Sequence, residues 1–274
     1  MPARPPNMSH DLVQADAWRR LRELTPARVG LGRAGQSLPT RELLAFSSAH
    51  AQARDAVHLP LDVAALQARL DTLGLHTCIT TSAAPDRSTY LLRPDLGRRL
   101  SHASAAALDA LALGNASRAE LSIVVADGLS ATAVERQAPG LLAELQAQWP
   151  AGWRWAPVVI ATQARVALGD DIGQRLNAPL VAVLIGERPG LSAPDSLGIY
   201  LTHSPRVGRT DAERNCISNV RPEGLSHADA ARKLLWLARE SRAVGQTGIG
   251  LKDLSELRAL PDTGASSGPA ILGG

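Results

Sequence analysis

The sequence predicts an α/β protein, with a C-terminal Rossmann-like parallel sheet and a smaller, mainly helical N-terminal domain. Three observations lead there. Residues 179–190, PLVAVLIGERPG, hold no charge from Pro179 to Gly186 and then break into Glu187, Arg188, Pro189 and Gly190. Val181, Val183 and Ile185 favour a pleated backbone, and the absence of polar alternation describes a strand covered on both faces. From about 115 to 245, strand-like and helix-like segments alternate, the pattern of a parallel sheet wrapped by helices. An Ala-rich helix over Ser101–Leu113 closes at Gly114 and Asn115, which sets a boundary. The expected division is therefore 1–25 as head and first helix, 26–114 as the mainly helical domain, 115–250 as the sheet domain and 251–274 as a flexible tail.

Taken in order, Asp11–Leu24 has Leu12, Trp18, Leu21 and Leu24 near helical spacing and stops at Thr25 and Pro26. Thr40 is placed to cap a helix over Arg41–Val57, and a further helix over Asp62–Leu73 ends at Gly74. Leu75–Ser82, LHTCITTS, reads as a strand with β-branched alternation. Leu121–Ala126 is a strand that turns at Asp127-Gly128-Leu129-Ser130 into a helix running through Pro139 to about Gln148. Pro157–Thr162 is the next strand, Arg165–Leu176 a loop and short helix, and Leu197–His203 a strand after the central one. Ser226–Val244 is the clearest helix, with Ala231, Leu234, Leu235 and Ala238 on one face. The Gly, Ser and Pro content after Leu260 predicts a mobile tail.

Composition narrows the function. The 274 residues are 45% hydrophobic and 20% charged, enough for a substantial core. Aromatics are only 3%, which argues against base-stacking platforms, and the formal charge of +3 comes from Lys and Arg interspersed with Asp and Glu, so no nucleic-acid partner is expected. Cys78 and Cys216 stand far apart without CxxC or His spacing, which points to neither a metal site nor a disulfide framework and fits a reducing cytoplasm. No apolar run approaches the roughly 20 residues that span a bilayer, so no membrane association is expected.

In a parallel sheet ligands sit beyond the carboxyl ends of the strands, so the loop with Glu187 and Arg188 is the first place to seek function; an ordinary ion-paired turn is the competing reading. Gly30, Gly32 and Gly35 in RVGLGRAGQSLPT resemble a phosphate loop only loosely. The stretch from Arg93 to Arg99, RPDLGRR, is a compact basic loop, either a solvated turn or a contact for a partner or phosphate. The Asp127–Ser130 turn suits an anion or hydroxyl ligand and equally suits a helix cap. No GxSxG or HExxH motif appears, and the histidines are scattered. The residues alone describe a cofactor- or ligand-binding α/β domain with a helical partner domain.

Six segments in order, RVGLGRAG, LLRPDLGRR, VVADGLS, IGERPGL, YLTHSPR and NCISN, closely resemble the small subunit of ethanolamine ammonia-lyase from about Arg28 to Val244. That resemblance implies adenosylcobalamin as cofactor and conversion of ethanolamine to acetaldehyde and ammonia. It also implies a hetro-oligomeric division of labour, in which a large TIM-barrel subunit holds substrate while the small subunit covers the cobalamin. On matching motif positions it implies Val166, Glu187 and Cys216 as cofactor contacts and assigns no catalytic residue to this chain. Val166 would contribute backbone or ring packing, Glu187 a charged acceptor, and Cys216 a small polarizable contact rather than a nucleophile. Phe46, Arg33 and Arg41 are candidates to face the large subunit. The implied location is the cytoplasm, with packaging in a bacterial microcompartment tied to an extended head that is short here. Two other readings remain: a free-standing nucleotide- or NAD-binding α/β protein, disfavoured because the first sheet turn is ADGLS rather than GxGxxG, and a non-catalytic assembly module.

Overall fold

The computed structural model describes residues 13–114 and 119–256. Its helices are α1 (Thr40–His58), α2 (Val63–Thr72), α3 (Arg87–Leu92), α4 (His102–Gly114), α5 (Ala131–Ala147), α6 (Leu168–Arg175) and α7 (His227–Val244). Its strands are β1 (Thr77–Thr81), β2 (Ser122–Ala126), β3 (Val158–Thr162), β4 (Leu180–Gly186), β5 (Leu197–His203) and β6 (Arg214–Val220). All six form one sheet in the order β1-β3-β2-β4-β5-β6. None of the helices is long and apolar enough to cross a membrane, among the described residues.

The uncharged stretch in β4 is explained by period-two geometry. Leu180, Ala182 and Leu184 enter one core with Ile123 and Val125 of β2, against α2, α5 and α7. Val181, Val183 and Ile185 enter a second core with Val124 and Ala126, against Leu108 of α4 and Leu168 and Ile172 of α6. Successive side chains point to opposite faces, and with helices on both there is no solvated side to carry polar residues.

The sheet is mixed, which corrects the expectation of a wholly parallel one. β1, β3, β2 and β4 run parallel, but β4 pairs antiparallel with β5, and β5 antiparallel with β6. The connections 187–196 and 204–213 are shorter than the dozen or more residues that a parallel crossover needs, so the chain turns straight back. The segment 26–114, expected to be mainly helical, supplies α1 to α4 and also the edge strand β1, whose Thr77–Thr81 pair in register with Val158–Thr162.

Other expectations divide. The helix expected over Asp11–Leu24 is, within the described residues, only a short 3-10 helix at Arg19–Glu23, and Trp18 and Leu24 stand exposed. So short a stretch ahead of Pro26 has no packed face to stabilise it. Thr40 is the first residue of α1 rather than its cap; Pro39 holds the cap position. Ser130 caps α5 as expected, accepting from the Ala133 N–H, and Asp62 and Ser226 prove to cap α2 and α7 in the same way through the Ala65 and Asp229 N–H groups. The tail after Leu260 lies outside the described residues.

Helix α5 tolerates Pro139 because its neighbour compensates. Proline has no N–H to give to the Glu135 carbonyl one turn earlier, and the Arg69 guanidinium of α2 donates to that carbonyl instead. The Asp62 N–H donates to the Glu135 carboxylate at 3.1 Å, so the start of α2 is fastened at the same point.

On the other face, α6 is pinned to β6 by a buried ion pair. Arg214 donates through Nη1 and Nη2 to Asp170 at 2.7 and 2.8 Å, and both side chains are at most 2% exposed. Arg214 also donates to Thr202 Oγ1 at 3.0 Å and to the Arg209 carbonyl at 3.0 Å. Burial alone would lower the Arg214 pKa; the bidentate carboxylate outweighs it and holds the value above the ordinary range. Removing one partner leaves the other charge buried alone. Arg214→Met is therefore expected to cost about 3–5 kcal/mol and lower Tm by roughly 10 °C, whereas Asp170→Leu combined with Arg214→Met recovers most of the loss. Thermal denaturation of the three variants followed by circular dichroism checks this, and an Arg214→Met protein as stable as the parent contradicts it.

Candidate functional site

Strands β2 and β3 are neighbours, yet α5, which follows β2, packs on one face and α6, which follows β3, on the other. The two connections part, and a crevice opens at the carboxyl ends of the strands, where α/β sheets hold ligands. Asp127, 1% exposed, closes its floor. Its Oδ2 accepts from the Gln163 N–H at 2.8 Å and from Arg87 Nη1 at 3.3 Å, and its Oδ1 accepts from the Ala164 N–H at 2.9 Å. Burial pushes this carboxyl above its usual range, against the downward pull of the two amides and Arg87.

Helix α3, capped by Asp86 through the Thr89 N–H at 2.8 Å, lowers Tyr90 onto the crevice. The fully buried Tyr90 hydroxyl donates to the Ala164 carbonyl at 3.1 Å, and burial pushes its pKa up to about 12. Two guanidiniums stand over its ring, with Arg87 Cζ 4.7 Å and Arg165 Cζ 4.4 Å from the centroid. Beside it lies a cavity of about 420 Å³ whose walls include Leu129, Arg165, Val166, Glu187, Arg188 and Tyr200. Around the crevice, Arg87 Nη2, Arg165 Nε and Gln163 Oε1 are buried without a hydrogen-bond partner.

Val166 and Glu187 line this cavity together. Val166 stands at the turn between β3 and α6; its carbonyl accepts from the Gly169 N–H at 3.0 Å, and its own N–H has no partner among the described residues. Glu187 follows β4, with its N–H donating to the Ser196 carbonyl at 3.0 Å. The Ser196 hydroxyl and the Asn219 N–H both donate to Glu187 Oε2, which leaves Oε1 without a hydrogen bond among the described residues. Cys216 is not in the wall. It sits opposite Tyr200 across the β5–β6 ladder, so it lies behind the wall rather than in it. Burial raises the Cys216 thiol pKa, which keeps it protonated at neutral pH, and burial likewise raises that of Tyr200.

Several features read from sequence have other roles. The Ser130 hydroxyl accepts from the Ala133 N–H and donates to the Pro194 carbonyl, so the 127–130 turn is a helix cap tied to the 187–196 loop. It is also crowded: a Cβ at Gly128 would lie 2.3 Å from the Gly186 carbonyl oxygen, where the ends of β2 and β4 touch. The glycines at 30, 32 and 35 fold 28–37 back so that Gln14 and Arg33 pair in a β-bridge; they enclose no cavity among those described. Tyr90, Arg165 and Tyr200 were not singled out from sequence. A signal was available, because the chain has only two tyrosines and both line this cavity.

The family model described as Ethanolamine ammonia-lyase light chain (EutC) matches residues 15–252. The chain is 56% identical over 249 residues to the ethanolamine ammonia-lyase small subunit of Ralstonia nicotianae, covering 90% of this chain and 92% of that one. It is 56% identical over 257 residues to the protein of the same description from Azotobacter vinelandii, covering 93% and 95%. With that from Pseudomonas aeruginosa it shares 53% identity over 263 residues, 96% of each chain.

The Asp127 contacts should hold the crevice open. Asp127→Asn keeps the shape but turns an NH₂ group toward a backbone or guanidinium N–H, and is expected to cost about 2–3 kcal/mol. Amide exchange at Gln163 and Ala164 should quicken roughly tenfold or more, with amides of β6 much less affected. Unchanged protection at both positions would remove Asp127 from this role.

Proposed function

The chain belongs to the ethanolamine ammonia-lyase light-chain family, and on that premise we propose that it is the cobalamin-covering small subunit of an adenosylcobalamin-dependent enzyme. In this reading the cofactor supplies the radical chemistry that turns ethanolamine into acetaldehyde and ammonia. A large TIM-barrel subunit holds the substrate, and the 115–250 segment of this chain closes over the cofactor from the other side, in the cytoplasm or in a microcompartment within it.

The observation that supports it is the convergence of Val166 and Glu187 on one cavity, with Cys216 paired across the ladder from the Tyr200 of its wall. The donor and acceptor set suits a corrin, whose rim carries neutral primary amides that both donate and accept. Glu187 Oε1 is an open acceptor, the Val166 N–H an open donor, and the Nε of Arg165 in the same wall is buried without a partner. The chain's own contribution is to bind, orient and exclude water. The nucleotide-binding alternative lacks comparable support, since Asp127 and Ser130 spend their polar atoms on the protein itself.

The partner surface in this reading includes α1. Leu43, Leu44 and Phe46 are 53%, 63% and 43% exposed there, while the acidic Glu42 is turned inward between Arg22 and Arg41. Arg33 and Arg41 belong to the same end of the chain. Sedimentation of the chain by itself is expected to show concentration-dependent self-association that ends when the large subunit is added. A monodisperse monomer at high concentration would argue against a large apolar interface.

Glu187 tests the site directly. Glu187→Gln keeps the Ser196 contact's shape and removes the charge. A hydrogen bond to a charged group contributes about 1.5–3 kcal/mol, which predicts roughly ten- to a hundredfold weaker cobalamin binding by the assembled enzyme. Turnover at saturating cofactor should fall far less. Unchanged cofactor affinity in a folded complex would leave Glu187 a turn residue.

A further inference from the structure

A second cavity, of about 630 Å³, lies on the other side of Arg165 and Val166, which line both. Its walls come from the basic loop at 94–99, the turn after β3 and the 207–211 loop, and five of the side chains are arginines: Arg98, Arg99, Arg165, Arg209 and Arg214. Two acids are present, Asp95 and Asp211. Their charges are not equally available. Arg214 is consumed by Asp170, and Arg209 by Glu213 and by the carbonyls of His203 and Ser204. Asp95 is held by Arg93 outside the cavity, at 2.7 Å, and Asp211 faces Arg214 at 3.4 Å. That leaves Arg98, Arg99 and Arg165 with no carboxylate partner among the described residues; the Arg165 guanidinium donates only to the Tyr90 carbonyl, at 3.2 Å, and its buried Nε donates to nothing.

These three are held in place by the backbone. The Arg165 N–H donates to the Gly97 carbonyl at 2.8 Å, and a Cβ at Gly97 would lie 2.9 Å from Arg165 Cγ and 3.0 Å from the Tyr90 ring. The close approach that glycine permits therefore fastens the turn carrying Arg98 and Arg99 against the Arg165 backbone, so that all three residues line one cavity. Uncompensated guanidiniums around one cavity call for an anion, and their planar forks match the oxygens of a phosphate better than a single carboxylate.

We propose that this arginine-lined cavity binds the phosphodiester of the cobalamin's nucleotide loop, while the neighbouring cavity at Glu187 and Tyr200 meets the neutral amide rim of the corrin. This rests on the cobalamin-binding reading above. A corrinoid's one permanent anion is that phosphodiester, and the shared wall at Val166 allows one molecule to reach both cavities.

Cobinamide, the corrin without its nucleotide loop, separates the two halves. The complex of this chain with its large subunit is titrated with cobalamin and with cobinamide, and binding is followed by the corrin absorbance, with no turnover required. The native complex is expected to prefer cobalamin. Arg98→Gln combined with Arg99→Gln should weaken cobalamin roughly tenfold or more and leave cobinamide unchanged. Arg98→Lys with Arg99→Lys, which keeps charge but loses the forks, should fall between. Inorganic phosphate should compete with cobalamin and not with cobinamide. Equal losses for both corrinoids, or no loss for cobalamin, would overturn the assignment. Dissociation of the subunits by the glutamine pair, with normal cobalamin preference in the complex that remains, would also overturn it and show an acidic partner surface in the cavity. If the native complex binds neither corrinoid, the cobalamin reading itself fails; if it binds both equally, only the phosphate assignment falls.

Discussion

The site end of this molecule depends on one buried carboxylate. Asp127 sits where the connections of β2 and β3 diverge, and it gathers the Gln163 and Ala164 amides and the Arg87 guanidinium onto two oxygens. Those amides begin the turn that places Arg165 and Val166, and Arg87 belongs to the helix that brings Tyr90. A charge this deep is expensive unless each lone pair finds a donor, so the carboxylate fixes the geometry of three chain segments at once. The Ala164 carbonyl then accepts from Tyr90, which closes the arrangement around the same turn.

The antiparallel half of the sheet has a different purpose from the parallel half. By returning directly after β4, the chain lays the 187–196 loop back over the start of α5, where Ser130 and Arg136 hold Pro194 and Asp195. It also brings Ser196 and Asn219 to Glu187 from β5 and β6. A crossover helix there would have put those donors elsewhere. The ion pair between Asp170 and Arg214 performs the matching task on the other face, joining the helix that begins just after Val166 to the last strand.

What the sequence made legible follows from how local each signal is. The strand β4 could be read because both faces are covered and every position is apolar, and α7 because its apolar face repeats at 3.6 residues. The Ser130 cap could be read because capping is a contact over three residues, whereas Thr40, expected in the same role, is already inside α1. Pairing is a long-range matter: nothing near Thr77–Thr81 says that it lies beside Val158–Thr162, or that β5 and β6 turn back, and the sheet was accordingly expected to be parallel and confined to the later segment. At the site, Glu187 was reached from its place at the end of an apolar strand and again through motif resemblance, and Val166 through resemblance alone, whereas Tyr90 and Arg165 acquire meaning only when α3 is folded onto the end of β3. The 28–40 glycine stretch misleads for the opposite reason, since tight backbone packing and phosphate binding use the same residue.

The fold also sorts charge in a way that composition hides. The chain carries 29 Lys and Arg against 26 Asp and Glu, interspersed along its length, and no segment looks like an anion site on that count alone. In three dimensions the acids nearest the site are spent inward: Asp127 on amides and Arg87, Asp170 on Arg214, and Glu187 through one oxygen on Ser196 and Asn219. The guanidiniums of Arg98, Arg99, Arg165 and Arg188 find no such partner among the described residues and line the two cavities. A nearly balanced sequence thus presents a locally positive surface, because what a ligand meets is not the number of charges but which of them the protein has left unpaired.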